Sequence, residues 1–397
     1  MKPVVGAIEL MTFHHEVLIA FCRHLIKLSL DTMVIAPSHG LQKAINRVAS
    51  ASFQQLAESA AKEGTGFSLV NVNDANALTD SLAHCDAIFI GTFPPKPASS
   101  PPQAHHGIRS TSRYQQAIDL INTALSQDKR VYIVIHKPSS DTNNLVSSLG
   151  AAACQQISVI YLSENTASCS RKLFPNQFRA ELIMPAIGMG ESSQPPASHA
   201  NCRMAIVGEI SSKRRNYGQL VRLNSIQQWL TKERAQVEII GRVKAESWLD
   251  RILLLCGFPG SLLFLLRYPA LTSLWLHGSL DLSKVGRRKI QEASLAARLI
   301  QAACILDLKL DRYTAEGQTS GSEGLSLTYG KPLISIDQII DASPAKADAD
   351  SCSFQDLLAR ETQRVIQRRT ALEAQFHNHL ASDLQMNNNR VDRSAKN

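Results

Sequence analysis

CRMAIVGEISSKRRNYGQLVRLNSIQQWLTKERAQVEIIGR, Cys202–Arg242, carries the pattern that decides the fold. It opens on CRMAIVGEI, an apolar run of the length expected for a strand buried on both faces, and closes on another, QVEIIGR. Between them YGQLVRLNSIQQWLTKE places apolar residues at helical spacing. A strand, a crossover helix and a second strand in that order predict a right-handed unit of a parallel sheet covered on both faces.

The same alternation extends outward in both directions. Before the quoted stretch, PVVGAIEL, TMVIAPS, FSLVNV, DAIFIGTF, RVYIVIHKP, ISVIYLS and AELIMPAIG read as strands. Helical patterns separate most of them: HHEVLIAFCRHLIKLSL, a stretch over about residues 41–63, ANALTDSLAHC and RYQQAIDLINTALSQ. PPKPASSPPQ is a loop, and GMGESSQPPASHAN is polar and proline-containing, as a linker is. After Arg242 come an apolar insert, SLWLHGSL, the helix GRRKIQEASLAARLIQAA, the strand CILDLKL and TSGSEGLSLTYGKPLISID, Thr319–Asp337. In that last stretch a helix closed by Gly330 leads into a buried strand. The expectation is an α/β protein of two Rossmann-like domains with parallel sheets facing an interdomain cleft. Residues 1–190 form the first domain, 191–350 the second with an insert at 252–276, and 351–397 a C-terminal helix and polar tail.

A length of 397 residues agrees with two domains rather than one core. Hydrophobic residues make up 44% and charged residues 19%, which excludes a disordered chain and a multi-span membrane protein. The net charge of +8 favours anionic partners as a class: nucleic acid, acidic headgroups or a phosphorylated small molecule. No aromatic platform with interleaved basic residues and no helix-turn-helix pattern accompanies it, so nucleic acid is not expected as a partner. Eight cysteines are scattered without Cys-x-x-Cys spacing, as reduced, buried thiols are, and no metal site is expected. MKPVVGAIEL lacks the features of a signal peptide, and the expected location is cytoplasmic.

The insert ILLLCGFPGSLLFLLRYPALTSLWL, Ile252–Leu276, is apolar apart from Arg267 and broken by Gly257, Pro259-Gly260 and Pro269. A spanning helix needs about 20 uninterrupted apolar residues. Two readings stay open: a helical hairpin buried in the fold, or a surface hairpin that dips into an anionic membrane, flanked by Arg251, Arg267 and KVGRRK.

Ligands of open parallel sheets bind at the carboxyl ends of the strands, which selects three loops. In GEISSKRRNYGQLV, Gly208 ends a strand, Ser211 and Ser212 are cap candidates, and Lys213, Arg214 and Arg215 arrive where a helix begins. Cations at a helix N-terminus make a seat for phosphate or diphosphate; the alternative is a solvated basic turn. In the second loop Gly317, Gly321 and Gly324 allow close backbone approach. There Thr319, Ser320 and Ser322 offer hydroxyls to phosphate or sugar, and Glu323 accepts from ribose or sugar hydroxyls. The alternative is a capped turn with Glu323 on the helix dipole. In the third, TFHHEVL, His14, His15 and Glu16 open a helix where a histidine would act as general base or touch a sugar. His136 and His277 are further strand-end candidates.

The order AIVGEISSKRRNY, VEIIGR, LWLHGSL, AACILDLK, SEGLSLTYGKPLISID resembles the C-terminal domain of GT-B glycosyltransferases of the family-4-like group (glycosyl transferases group 1). The resemblance covers Met204–Asp337; the N-terminal half is similar only as a Rossmann-like domain. It implies a hexosyltransferase-like, metal-independent enzyme that moves a sugar from a nucleotide sugar to a hydroxyl of a glycan, lipid or small molecule. It places Lys213, Arg214 and Arg215 near the donor diphosphate, Gly241 and Arg242 beside the nucleotide, and TSGSEGLS around the phosphates and ribose. Where retaining members carry paired glutamates this chain has Gly317 and Leu325, with Glu316 and Glu323 nearby, and Glu209 follows Gly208 in place of the usual arginine. That pattern implies a divergent branch using Ser-Gly and Glu323. A sugar-nucleotide epimerase and a non-catalytic nucleotide- or glycan-binding protein are the alternatives.

Overall fold

The computed structural model describes residues 2–10, 15–36, 50–72, 75–94, 96, 107–185, 202–213, 215–287, 292–308, 321–343 and 353–394. By compactness the chain divides into two units. The first is Met1–Met189 with Glu316–Thr319 and Ala371–Asn397; the second is Gly190–Ala315 with Ser320–Thr370.

In the first unit β1 (Val4–Ile8), β2 (Asp31–Ala36), β3 (Phe67–Asn71), β4 (Ala87–Ile90), β5 (Arg130–Ile135), β6 (Ile157–Tyr161) and β7 (Ala180–Ile183) form one sheet in the order β3-β2-β1-β4-β5-β6-β7. Every pairing is parallel. The crossovers are α1 (His15–Lys27), α2 (Ser50–Lys62), α3 (Ala75–Ala83), α4 (Gly107–Ser126), α5 (Pro138–Leu149) with the single turn α6 (Ala151–Cys154), and α7 (Glu164–Leu173). The apolar runs of the sequence are what a doubly covered sheet requires. Along β5, Val131, Ile133 and Ile135 enter one core and Tyr132 and Val134 the other.

The second unit repeats the scheme. Strands β8 (Arg203–Val207), β9 (Gln236–Arg242), β10 (Leu280–Asp281), β11 (Val285–Gly286), β12 (Cys304–Leu306) and β13 (Leu333–Ile334) form a parallel sheet ordered β10-β9-β8-β12-β13, with β11 also on β9. The crossover expected as one α-helix is a 3-10 helix over Tyr217–Ile226, followed by α8 (Gln227–Lys232). Gly218 and the Asn224-Ser225 pair are poor α-formers. Yet Tyr217, Leu220, Leu223 and Ile226 are buried at the three-residue spacing of a 3-10 turn.

The insert is helical: α9 (Trp248–Leu255), α10 (Gly260–Arg267), a 3-10 turn over Pro269–Leu271 and α11 (Thr272–Leu276). One side of it enters the core through Leu263, Phe264, Leu265, Leu271 and Leu274. The Phe264 ring meets Tyr217 and Tyr268 at centroid distances of 5.3 and 5.0 Å. SLWLHGSL, read as a strand end, begins as α11, and only Leu280 and Asp281 join the sheet. No helix among the described residues is long and apolar enough to cross a membrane.

The chain continues through α12 (Glu292–Gln301), α13 (Gly321–Tyr329) and α14 (Ile336–Asp341) to α15, Phe354–Ser394. Gly330 ends α13 with φ +61°, as the sequence indicated. The last helix is longer than expected, running through the stretch read as a polar tail. Its residues up to Thr370 belong to the second unit and those from Ala371 onward to the first. There Phe376, Leu380 and Leu384 are buried in the same core as Phe21, Phe89 and Tyr132. The linker at 188–201 and most of the PPKPASSPPQ loop lie outside the described residues.

Candidate functional site

In each sheet the chain order reverses at one place, between β1 and β4 in the first and between β8 and β12 in the second. A crevice opens outside the carboxyl ends of strands at such a reversal.

In the second unit that edge is built on two glycines. Gly208 follows β8 with φ +120°, a conformation that side chains disfavour. A Cβ on Gly241 would lie 1.8 Å from the Gly208 carbonyl oxygen, so β8 and β9 touch through bare backbone here. Arg215 folds back over this point. Its guanidinium donates to the Val207 carbonyl and, at 3.0 Å, to that of Glu209. It also reaches the buried Ser322 Oγ, 3.5 Å away in the first turn of α13. One side chain thus joins the end of β8 to the start of the helix in TSGSEGLSLTYG.

The basic triplet is therefore divided. Lys213 is exposed in the turn, Arg215 is committed to backbone carbonyls, and Arg214 lies outside the described residues. Ser211 and Ser212 do not cap the following helix, whose N-cap position is Asn216. Instead Ser211 Oγ accepts from the Lys213 N–H at 3.2 Å, and Ser212 gives its N–H and hydroxyl to Glu246 at 2.6 and 2.7 Å. Burial pushes the Glu246 carboxyl up, but hydrogen bonds from Ser211 and Ser212 outweigh it and hold the group below the usual range. Arg242 Nη2 lies 3.0 Å from Glu209 Oε1, with Lys244 Nζ 3.7 Å from the other oxygen. Glu209, the residue in the place of an arginine, gathers cations at this edge.

Glu323 sits in the first turn of α13, and Arg368 of α15 donates to it at 3.2 Å. Arg369 donates to the Thr328 carbonyl at 3.3 Å, so two arginines of the last helix hold both ends of α13. Gly324 is inside the helix, and its carbonyl accepts from Thr328. Gly321 opens it, while Gly317, Thr319 and Ser320 lie outside the described residues.

The first unit has an edge cluster of which the sequence reading picked out only His136. Glu9, directly after β1, is fully buried, and Thr92, just after β4, donates to its Oε2 at 3.0 Å. A Cβ on Gly91 would stand 2.6 Å from the same oxygen, so glycine leaves the carboxylate its room. His136 at the end of β5 approaches the Gly91 carbonyl through Nε2 at 3.1 Å. Asp141 accepts from the backbone N–H groups of His136 and Lys137 at 3.1 and 2.8 Å. The signal was present in AIEL and IGTF: a carboxylate one step and a hydroxyl two steps past an apolar strand. What the sequence lacked was the pairing of β1 with β4. His15 begins α1, His14 lies outside the described residues, and His277 caps the end of α11 rather than a strand, its Nδ1 2.8 Å from the Ser273 carbonyl.

Among the described residues one trio of metal-ligating types converges, His24, Glu373 and His377. His24 Nδ1 and His377 Nε2 are 2.9 Å apart, and Lys27 Nζ already pairs with Glu373 at 2.9 Å, a clamp between α1 and α15. The described cysteines are unpaired by disulfides, and burial pushes Cys85 and Cys154 each up to about 11.

No family model and no curated protein matches the chain. Solved structures do. A glycosyltransferase from Rickettsia africae ESF-5 is 10% identical, with 97% of this chain and 99% of that one covered and a TM-score of 0.50. HepE of Anabaena in complex with UDP is 12% identical, with 100% of both chains covered and a TM-score of 0.44. The glycosyltransferase SnogD from Streptomyces nogalater is 13% identical, with 96% and 99% covered and a TM-score of 0.37. At such identities the likeness is one of fold. The fold is the two-domain, Rossmann-like GT-B type that the sequence resembles.

Proposed function

We propose that this protein is a glycosyltransferase that takes a sugar from a nucleotide-sugar donor, with the donor diphosphate seated at the carboxyl edge of the second sheet. The observation that carries the reading is the Gly208–Gly241 backbone contact beside the chain reversal, crossed by Arg215 and bordered by the start of α13. Bare backbone lets a diphosphate approach, and the N-terminus of α13 directs N–H groups and positive potential to it. In this reading Lys213 and Arg214 meet the phosphates, Arg215 positions the loop, Gly241 and Arg242 border the nucleotide, and Thr319, Ser320, Gly321, Ser322 and Gly324 wrap the phosphates and ribose.

The acceptor is a hydroxyl of a glycan, lipid or small molecule. Its oxygen attacks the anomeric carbon, the bond from that carbon to the diphosphate oxygen breaks, and negative charge grows on the leaving diphosphate. Cations and helix N–H groups stabilise that charge, the task a metal performs in other transferases. His14 or His15 takes the acceptor proton, and Glu323, oriented by Arg368, receives a donor hydroxyl.

Titration calorimetry with UDP-, GDP- and ADP-sugars is the first test; binding of none of them would sink the reading. Lys213→Ala combined with Arg214→Ala should weaken donor binding about 10- to 100-fold, the range for lost hydrogen bonds to charged groups. Unchanged affinity would remove the basic turn from the site. The Glu323–Arg368 pair favours a second reading, a non-catalytic binder in which this carboxylate is structural. Donor hydrolysis or sugar transfer by the pure protein excludes it, and tight donor binding without turnover supports it.

A further inference from the structure

The apolar insert exposes large apolar side chains that the core does not use. Among the described residues twelve large apolar side chains are exposed, and eight of them fall between Trp248 and Leu276. On α9, Trp248, Ile252 and Leu255 recur at helical spacing, with Leu249 beside them; Trp248 is 73% and Leu255 85% exposed. Leu262 and Leu266 repeat the spacing on α10, and Trp275 and Leu276 end α11. Single exposed leucines need no explanation, but a concentration of them in one short insert does.

The charges of this segment are sorted as well. Its one acid, Asp250, is buried, closes the capping box of α9 with Ser247, and pairs with Arg267 at 2.6 Å. Arg251 remains exposed on α9, and exposed Arg287 donates to the Leu254 carbonyl at the end of that helix. Further basic residues follow in KVGRRK. Two of the three tryptophans of the chain are among these exposed side chains, while Trp229, partly buried, packs on Phe354 against the core. Exposed tryptophans and leucines beside unbalanced cations, on helices too short to span, are the composition of an interfacial membrane anchor.

We propose that α9, α10 and α11 form a monotopic docking surface for an anionic lipid bilayer, with Trp248, Leu255, Trp275 and Leu276 entering the interface and Arg251 and Arg287 meeting the headgroups. This does not depend on the transferase reading. An acidic protein surface would satisfy the cations, but not the demand of these side chains for an apolar medium. A second copy of the chain would place like charges together.

The test is flotation of the full-length protein with phosphatidylcholine vesicles, with and without about one third phosphatidylserine. The protein should float with the anionic vesicles, with weaker partitioning at high salt. Trp248 and Trp275 fluorescence should shift to the blue. Replacing Trp248, Leu255, Trp275 and Leu276 together by serine should lower the partition coefficient at least about tenfold. Leu255→Glu alone should lower it in the same direction, and as a single exposed site it should leave the melting temperature unchanged. Failure of the wild-type protein to float, equal flotation of the variants, or equal partitioning on neutral vesicles would overturn the proposal. So would sedimentation showing that the quadruple variant breaks a dimer while vesicle binding is absent. Nucleotide-sugar affinity, measured alongside, is expected to be unchanged in all of these variants, which separates this test from that of the donor site.

Discussion

Gly241 has no space for a methyl group, because the Gly208 carbonyl oxygen occupies the place where its Cβ would be. Gly241→Ala must push β9 from β8 at the proposed donor edge, and should cost about 3 kcal/mol or more, the upper end of overpacking. Urea denaturation measures the loss, and donor affinity should fall with it. Arg215 is constrained differently, since its planar fork serves two carbonyls and a hydroxyl that one ammonium cannot serve together. Arg215→Lys is therefore expected to destabilise the second unit by about 1–3 kcal/mol, also read by urea denaturation. Both residues were legible as strand-end and loop positions in the sequence. Their roles were not, because a glycine against a glycine and an arginine turned back on its own strand arise only when β8 and β9 pair. Glu9 and Thr92 were missed for the same reason, being far apart in the chain and adjacent only through the β1–β4 register.

At the scale of the element, α15 is tied to the first sheet by one carboxylate. Asp383, 2% exposed, accepts from both Arg179 and Tyr132. Arg130 Nε lies 3.1 Å from its Oδ1, an ion pair without hydrogen-bond alignment. Burial pushes this carboxyl up, but the hydrogen bonds from Arg179 and Tyr132 and the charges of Arg179 and Arg130 outweigh burial and hold it below its ordinary range. A carboxyl depressed in the folded state stabilises fully above its unfolded value, about 3.9. That stability disappears as the pH falls through the folded value. Asp383→Asn should cost about 3 kcal/mol at neutral pH, because it leaves the partly buried Arg179 and Arg130 without their anion. The gap between wild type and variant, followed by urea midpoints, should hold from pH 7 to about 5 and narrow as the pH falls below about 4; a gap that stays constant below about pH 4 would place the effect elsewhere. Helix existence was readable from periodicity, but helix type was not. Tyr217–Ile226 satisfies an α pattern on paper and is wound as a 3-10 helix, since apolar residues at 217, 220, 221, 223 and 226 fit either winding over so short a stretch.

For the whole molecule, the two doubly wound sheets were legible because strands buried on both faces leave long apolar runs, and the crossovers between them leave helical ones. The apolar insert was legible as helical, but not which of its side chains would meet solvent. The division of α15 between the units was not legible either: its pattern states that one face is buried, not by which sheet. Ending the chain after Thr370 removes Phe376, Leu380, Leu384 and Asp383 from the first unit. We expect hydrogen exchange to show loss of protection in α1 and β5 while β8 and β9 retain theirs. The same helix also sets an order of assembly during synthesis. A ribosome releases the first sheet long before it makes the residues that seal one side of it. At about 5–20 residues per second, the stretch between Met189 and Ala371 holds that surface open for on the order of ten seconds or more. The earliest part of this chain is thus the last to be finished, and during that interval its exposed apolar face is a natural substrate for chaperones.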